Sequence, residues 1–340
     1  MNKLEIKGLT HKICFIDTLN EMYQVNINHM DVFTRVEYAK CGEKTLKQYD
    51  WLKSVYSKFD DAEKKDFRDL FSQSVHTYQL LNTTVNLSDD ASVSDVREIL
   101  RKSEVEEIRN INGLLENISG TYSKAYSAYF DSFKSEFDEK AEKILKTATE
   151  NSFDILSFME DNSGIRFSEF AQIAGFTFPD TIKYYFTFRP IGAMGFQTQH
   201  EIISTVQGNI NDLTGIISTP FHEFSHFLFR TFTLFDDFKK ISSGLKDHKE
   251  LLDYWETKSK NYYDWDGWVE ENLVEGYSKF LVRKYKELCK LTVNNVYSSY
   301  VIDKMFYDHL ISRNFDSGKS TLKEASLEFL TNLHYQNLLK

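Results

Sequence analysis

His222-Glu223-Phe224-Ser225-His226 is the stretch that decides how this chain is read. It has the form H-E-x-x-H and sits in an apolar run with Phe221, Phe227, Leu228 and Phe229. On an α-helix, residues i and i+4 share a face, about 6 Å apart along the axis. Both imidazoles then reach one metal ion, and Glu223 can lean over a water beside them. This is the pattern of a zinc hydrolase that uses glutamate as its general base. Thr219-Pro220 just before it supplies an N-cap with proline at the first helical position. The alternative is a start near Asn211 or Asp212, with Pro220 in a later turn. Apolar residues on both sides imply a buried helix, in which two histidines need a polar partner.

A catalytic zinc takes three protein ligands and leaves one position open. The continuation H-x-x-G-x-x-H is absent, because Phe229 and Phe232 stand where glycine and the third histidine would fall. A third ligand is available in Trp268-Val269-Glu270-Glu271-Asn272-Leu273-Val274-Glu275-Gly276-Tyr277. Val269, Leu273, Tyr277, Phe280 and Leu281 follow helical spacing. Glu271 and Glu275 then share a face. Glu271 is assigned as the ligand, with Glu270 as the alternative. Glu275 is assigned to the outer nitrogen of a liganding histidine, where it fixes the tautomer. His200-Glu201 is not a second motif, because Ser204 stands four residues after His200.

An H-E-x-x-H helix followed some tens of residues later by a helical E-x-x-x-[D/E] resembles the gluzincin group of zinc metallopeptidases, the thermolysin-like arrangement. The resemblance covers Thr181 to Glu275. It implies a zincin-like catalytic half with Glu271 as third ligand and the acidic residue four on supporting a histidine. This chain departs from the pattern by carrying Glu275 where aspartate is usual.

The 340 residues are 41% hydrophobic and 27% charged, a globular balance that allows a sizeable core. A net charge of −10 argues against nucleic-acid binding, which needs a concentrated basic surface. Cys14, Cys41 and Cys289 are too few and scattered for a disulfide framework. The N-terminus lacks the apolar core of a signal peptide, and no apolar run reaches membrane-spanning length. The expectation is a cytoplasmic protein with no membrane segment.

Pro179, Pro190 and Pro220 are the only prolines. Elsewhere the chain reads as long helices, and the contrast places a boundary at Asn162-Ser163-Gly164. The expected fold is α+β and predominantly helical: a helical domain over 1–163 and a zincin-like domain over 164–340. Helical spacing covers Lys47–Ser72, Ser92–Ile118 (with Ser94 as N-cap) and Tyr122–Met159, while Lys12–Ile16 reads as a possible strand. Thr181–Phe188 and His200–Val206 read as strands of a hairpin around the turn Arg189–Gly195. Phe235–Asp264 reads as surface helix and loop, and the tail from Leu291 as two or three helices.

The expected activity is hydrolysis of a peptide or protein substrate, with one Zn2+ on His222, His226 and Glu271 and Glu223 as base. Tyr277, Tyr297, Tyr300, Tyr307 and His309 are the candidates for stabilising an oxyanion. The alternative is a helical protein-interaction module that retains a structural or vestigial zinc site.

Overall fold

Short polar side chains start many of the helices. Asp60 and Ser92 form capping boxes with Glu63 and Asp95, and Asp154 and Asp264 accept from first-turn amides. The computed structural model describes residues 3–28, 33–110, 154–189, 195–197, 201–206, 213–260, 262–290, 292–293 and 295–336, with a few single positions between 111 and 153. The described chain is predominantly helical with one four-stranded sheet. Among the described residues, no helix is long and apolar enough to cross a membrane.

The chain forms two compact units, and they interleave instead of following a single cut at 163/164. One comprises Glu5–Ser152 and Ile182–Gly215; the other comprises Met1–Leu4, Phe153–Thr181 and Ile216–Lys340.

The first unit holds most of β1 (Lys3–Leu9) and β2 (Thr181–Phe188) and all of β3 (Gly195–Gln197) and β4 (Glu201–Val206), in the order β1-β2-β4-β3. It also holds α1 (His11–Tyr23), α2 (Arg35–Lys40), α3 (Glu43–Ser57), α4 (Asp61–Phe71), α5 (Ser74–Val85), α6 (Val93–Arg101) and α7 (Glu106–Asn110).

The hairpin expected from 181–188 and 200–206 is corrected. β2 and β4 run parallel, from Lys183 opposite Glu201 to Phe188 opposite Val206. The antiparallel partner of β4 is the short β3, with Phe196 opposite Ile203. In the sheet β3 thus lies on the side of β4 away from β2. Burial agrees with a parallel strand covered on both faces: Ile182, Tyr184, Tyr185, Phe186 and Thr187 are all buried.

Three further readings change. Lys12–Ile16 is the start of helix α1; 11 of the 13 α1 residues are buried, Lys12, Asp17, Thr18, Asn20 and Glu21 among them, so polarity does not mark an exposed face. Lys47–Ser72 is broken, because Asp60 caps a new helix. Ser92, not Ser94, caps α6, which ends at Arg101 before α7. Most of Tyr122–Met159 and the 190–194 part of the turn lie outside the described residues.

The second unit contains α8 (Ile155–Ser163), α9 (Phe167–Ala174), α10 (Leu213–Thr233), α11 (Asp236–Gly244), α12 (Lys249–Tyr254), α13 (Trp265–Leu288), α14 (Asp303–Ser312) and α15 (Leu322–Gln336). Gly164 closes α8 in the left-handed conformation, at φ 69°, which favours glycine. The H-E-x-x-H segment lies in α10, with Pro220 inside the helix and not at its start. An interior proline removes the bond to the carbonyl four residues back, at a cost of about 3 kcal/mol. The buried phenylalanines of α10 offset such costs on several sides. Phe221 stacks on Phe158, Phe224 and Phe227 meet Phe167, Phe170 and Phe178, and Phe229 meets Tyr277 and Phe306. Among the described residues, His222, His226, Arg230 and Thr233 are left for polar contact with α13.

α13 lies close against α14 at Gly276. A Cβ there would collide with the Asp303 carbonyl and stand 3.2 Å from Phe306 Cβ. Gly276→Ala is therefore expected to lower stability by about 1–3 kcal/mol, as other overpacking changes do. Urea unfolding measures this, and an unchanged midpoint would contradict the close approach.

Candidate metal centre

Helix α10 presents His222, Glu223 and His226, and α13 presents Glu270, Glu271 and Glu275. One ligand atom from each of His222, His226 and Glu271 lies within 4.8 Å of the others. His222 Nε2 is 3.2 Å from Glu271 Oε1, and His226 Nε2 is 3.5 Å from Glu271 Oε2. The Glu271 carboxylate thus faces the inner nitrogens of both rings.

The outer nitrogens are held separately. His222 Nδ1 donates to Glu275 Oε2 at 2.9 Å, and His226 Nδ1 donates to Glu270 Oε1 at 3.0 Å. A proton fixed on each Nδ1 leaves the Nε2 lone pair free for a cation. Glu270, the alternative ligand in the sequence, is thus placed behind His226. It also accepts from Arg230 Nε at 3.3 Å and from Thr233 Oγ1. Helical geometry explains the split, since Glu270 points about 100° away from Glu271.

The charges are strongly coupled. Burial alone would lower the His222 pKa, but hydrogen bonds to Glu271 and Glu275 raise it well above the ordinary imidazole range. Burial disfavours charge on Glu275, yet His222 and Lys279 bring its carboxyl down to about 2. Glu271 and Glu270 are lowered in the same way, against their burial, by His222 and His226 respectively. Glu223 behaves oppositely. Burial raises it, as does the nearby Glu271 charge, and the two histidines only partly counter this.

The oxyanion candidates now separate. Tyr277 is buried against Phe229 and Phe280, and Tyr297 is exposed. The Tyr307 hydroxyl accepts from Arg283, and His309 packs on Phe329. Tyr300 alone of the five touches the cluster, donating to Glu271 Oε1 at 3.0 Å. Its pKa is raised, first by burial and then by the Glu271 charge, so the hydroxyl keeps its proton. Sequence reasoning had no signal for choosing it, because residues 295–302 form no helix or strand and therefore carry no period.

Two imidazole nitrogens and one carboxylate form a donor set that suits zinc with one position left open. No protein-family model matches this chain, and no curated protein or solved structure matches it either.

The raised His222 has a consequence for binding. A proton on its Nε2 occupies the position a cation would take, so metal entry must expel it. Zinc titrated into metal-free protein should release about one proton per ion, with apparent affinity rising about tenfold per pH unit below the raised His222 value. Calorimetry in buffers of different ionisation enthalpy reads this directly. Tight binding with no proton release would contradict the assignment.

Proposed function

We propose that this protein is a zinc-dependent hydrolase, best read as a metallopeptidase of gluzincin type acting on a peptide or protein substrate. The observation that carries the reading is the Glu271 carboxylate facing the Nε2 atoms of both H-E-x-x-H histidines. Glu275 behind His222 supports it at the position where the resemblance expects an acidic side chain. The catalytic half is accordingly proposed to be zincin-like.

In this reading His222, His226 and Glu271 hold the ion. Zinc bound there supplies Lewis acidity, polarising a carbonyl and bringing the pKa of water towards about 7. Glu270 and Glu275 keep both imidazoles oriented and in one tautomer. Glu223 takes the proton from the attacking water and then delivers it to the leaving amine nitrogen. Burial, which raises its pKa, favours its holding that proton between the two steps. The Tyr300 hydroxyl donates to the carbonyl oxygen as negative charge builds on it.

A purely structural site is less well supported. Structural zinc is normally closed by four protein ligands, whereas the described cluster offers three and sets an unligated glutamate beside them.

Glu223→Gln separates the base from the ligands. The variant should bind zinc as the wild type does, while kcat on a cleavable peptide falls ~10²–10⁴-fold. Metal retention with unchanged turnover would remove Glu223 from the base role.

A further inference from the structure

Lys279 lies four residues after Glu275 on α13, a spacing that on an exposed helix gives an ion pair worth only about 0.3–0.5 kcal/mol. The structure gives it more partners than that. Its side chain is 16% exposed, and Nζ reaches Glu275 Oε1 at 3.1 Å, Ser299 Oγ at 3.0 Å and the Asp303 carboxylate. Those three groups lead to the two sides of the candidate site.

Glu275 is the carboxylate behind His222. Ser299 and Asp303 belong to the stretch that carries Tyr300. That stretch has no helical or strand bonding to fix it, so side chains must place it. Asp303 accepts from Ser298 Oγ at 2.6 Å, from Ser299 N at 2.8 Å and from Tyr300 N at 3.2 Å. Asn272 Oδ1 accepts from Val301 N at 3.2 Å and Ile302 N at 2.9 Å. Ser299 Oγ closes the loop by donating to Glu275 Oε1 at 2.8 Å. Asp303 is fully buried, and Lys279 is the cation paired with it, so the carboxylate can hold three donors without standing as an uncompensated charge.

We propose that Lys279 is a positioning residue: by tying Asp303 and Ser299 to Glu275, it holds Tyr300 at Glu271 and makes the support of His222 and the placement of Tyr300 one connected unit. Lys279 touches neither substrate nor metal in this account and acts through Tyr300. The proposal rests on the hydrolase reading insofar as Tyr300 serves the carbonyl oxygen. The placement of the segment is a property of the chain itself.

The test uses the full chain with Lys279→Met, Lys279→Arg, Ser299→Ala and Tyr300→Phe. In metal-free protein, Lys279→Met should speed amide hydrogen exchange of Ser299 and Tyr300 by ~10-fold or more while the α13 interior keeps its protection. Lys279→Arg should restore the wild-type rates. With zinc bound, Lys279→Met should lower kcat about as far as Tyr300→Phe does, ~10²–10³-fold, with KM little changed. The double variant should be no slower than Tyr300→Phe alone, the sign of two residues acting through one contact. Ser299→Ala should show the same exchange effect to a smaller degree, and it carries the test if Lys279→Met does not fold. Unchanged exchange in both Lys279→Met and Ser299→Ala would overturn the proposal, as would additive losses in the double variant. If the wild type is no more active than Glu223→Gln, the hydrolase reading fails by itself, and the exchange rates still decide the role of Lys279.

Discussion

Two imidazoles of α10 set against three carboxylates of α13 form the interaction on which the described site depends. Each outer nitrogen has its own glutamate, and one further carboxylate faces both inner nitrogens. Buried carboxylates in this number are costly unless positive charge balances them. In the metal-free chain part of that balance falls on His222, whose affinity for a proton is raised accordingly. A divalent ion would supply the same charge more fully and would relieve the imidazole of its proton. The electrostatics that make the cluster uncomfortable without a cation are what would make it selective for one.

The rest of the second unit can be understood as holding α10 and α13 in that register. The α10 phenylalanines pack on α8, α9 and α14 and on Tyr277 of α13, while His222 and His226 face the α13 carboxylates. Gly276 lets α14 approach α13 closely, and Asp303 at the start of α14 holds the segment bearing Tyr300. A single close contact between two helices therefore also sets where a loop hydroxyl lies.

What was legible in the sequence follows from periodicity. His222 and His226 are four apart, as are Glu271 and Glu275, and helical geometry alone places each pair on one face. Glu270 was visible as an acid but not as the partner of His226, because choosing between adjacent residues needs the rotation of α13 about its axis. Lys279 meets Asp303 across 24 positions of chain, Tyr300 meets Glu271 across 29 and Asn272 meets Ile302 across 30, and nothing local marks them. Strand existence in 181–188 and 201–206 was readable from β-forming residues, but pairing was not. The continuous buried run Tyr184-Tyr185-Phe186 is the signal that favours a parallel neighbour over the expected hairpin. The Lys12–Ile16 reading failed because α1 is buried nearly all round, its polar residues Lys12, Asp17 and Glu21 included, so polarity does not mark an exposed face.

The central claim is that one zinc ion is held by His222, His226 and Glu271. X-ray absorption at the zinc edge of the protein loaded with one equivalent of metal tests it most directly. The expected first shell contains two imidazole nitrogens and carboxylate oxygen at about 2.0–2.2 Å, with no sulfur. A sulfur shell at about 2.3 Å, or a shell without imidazole scattering, would contradict the account.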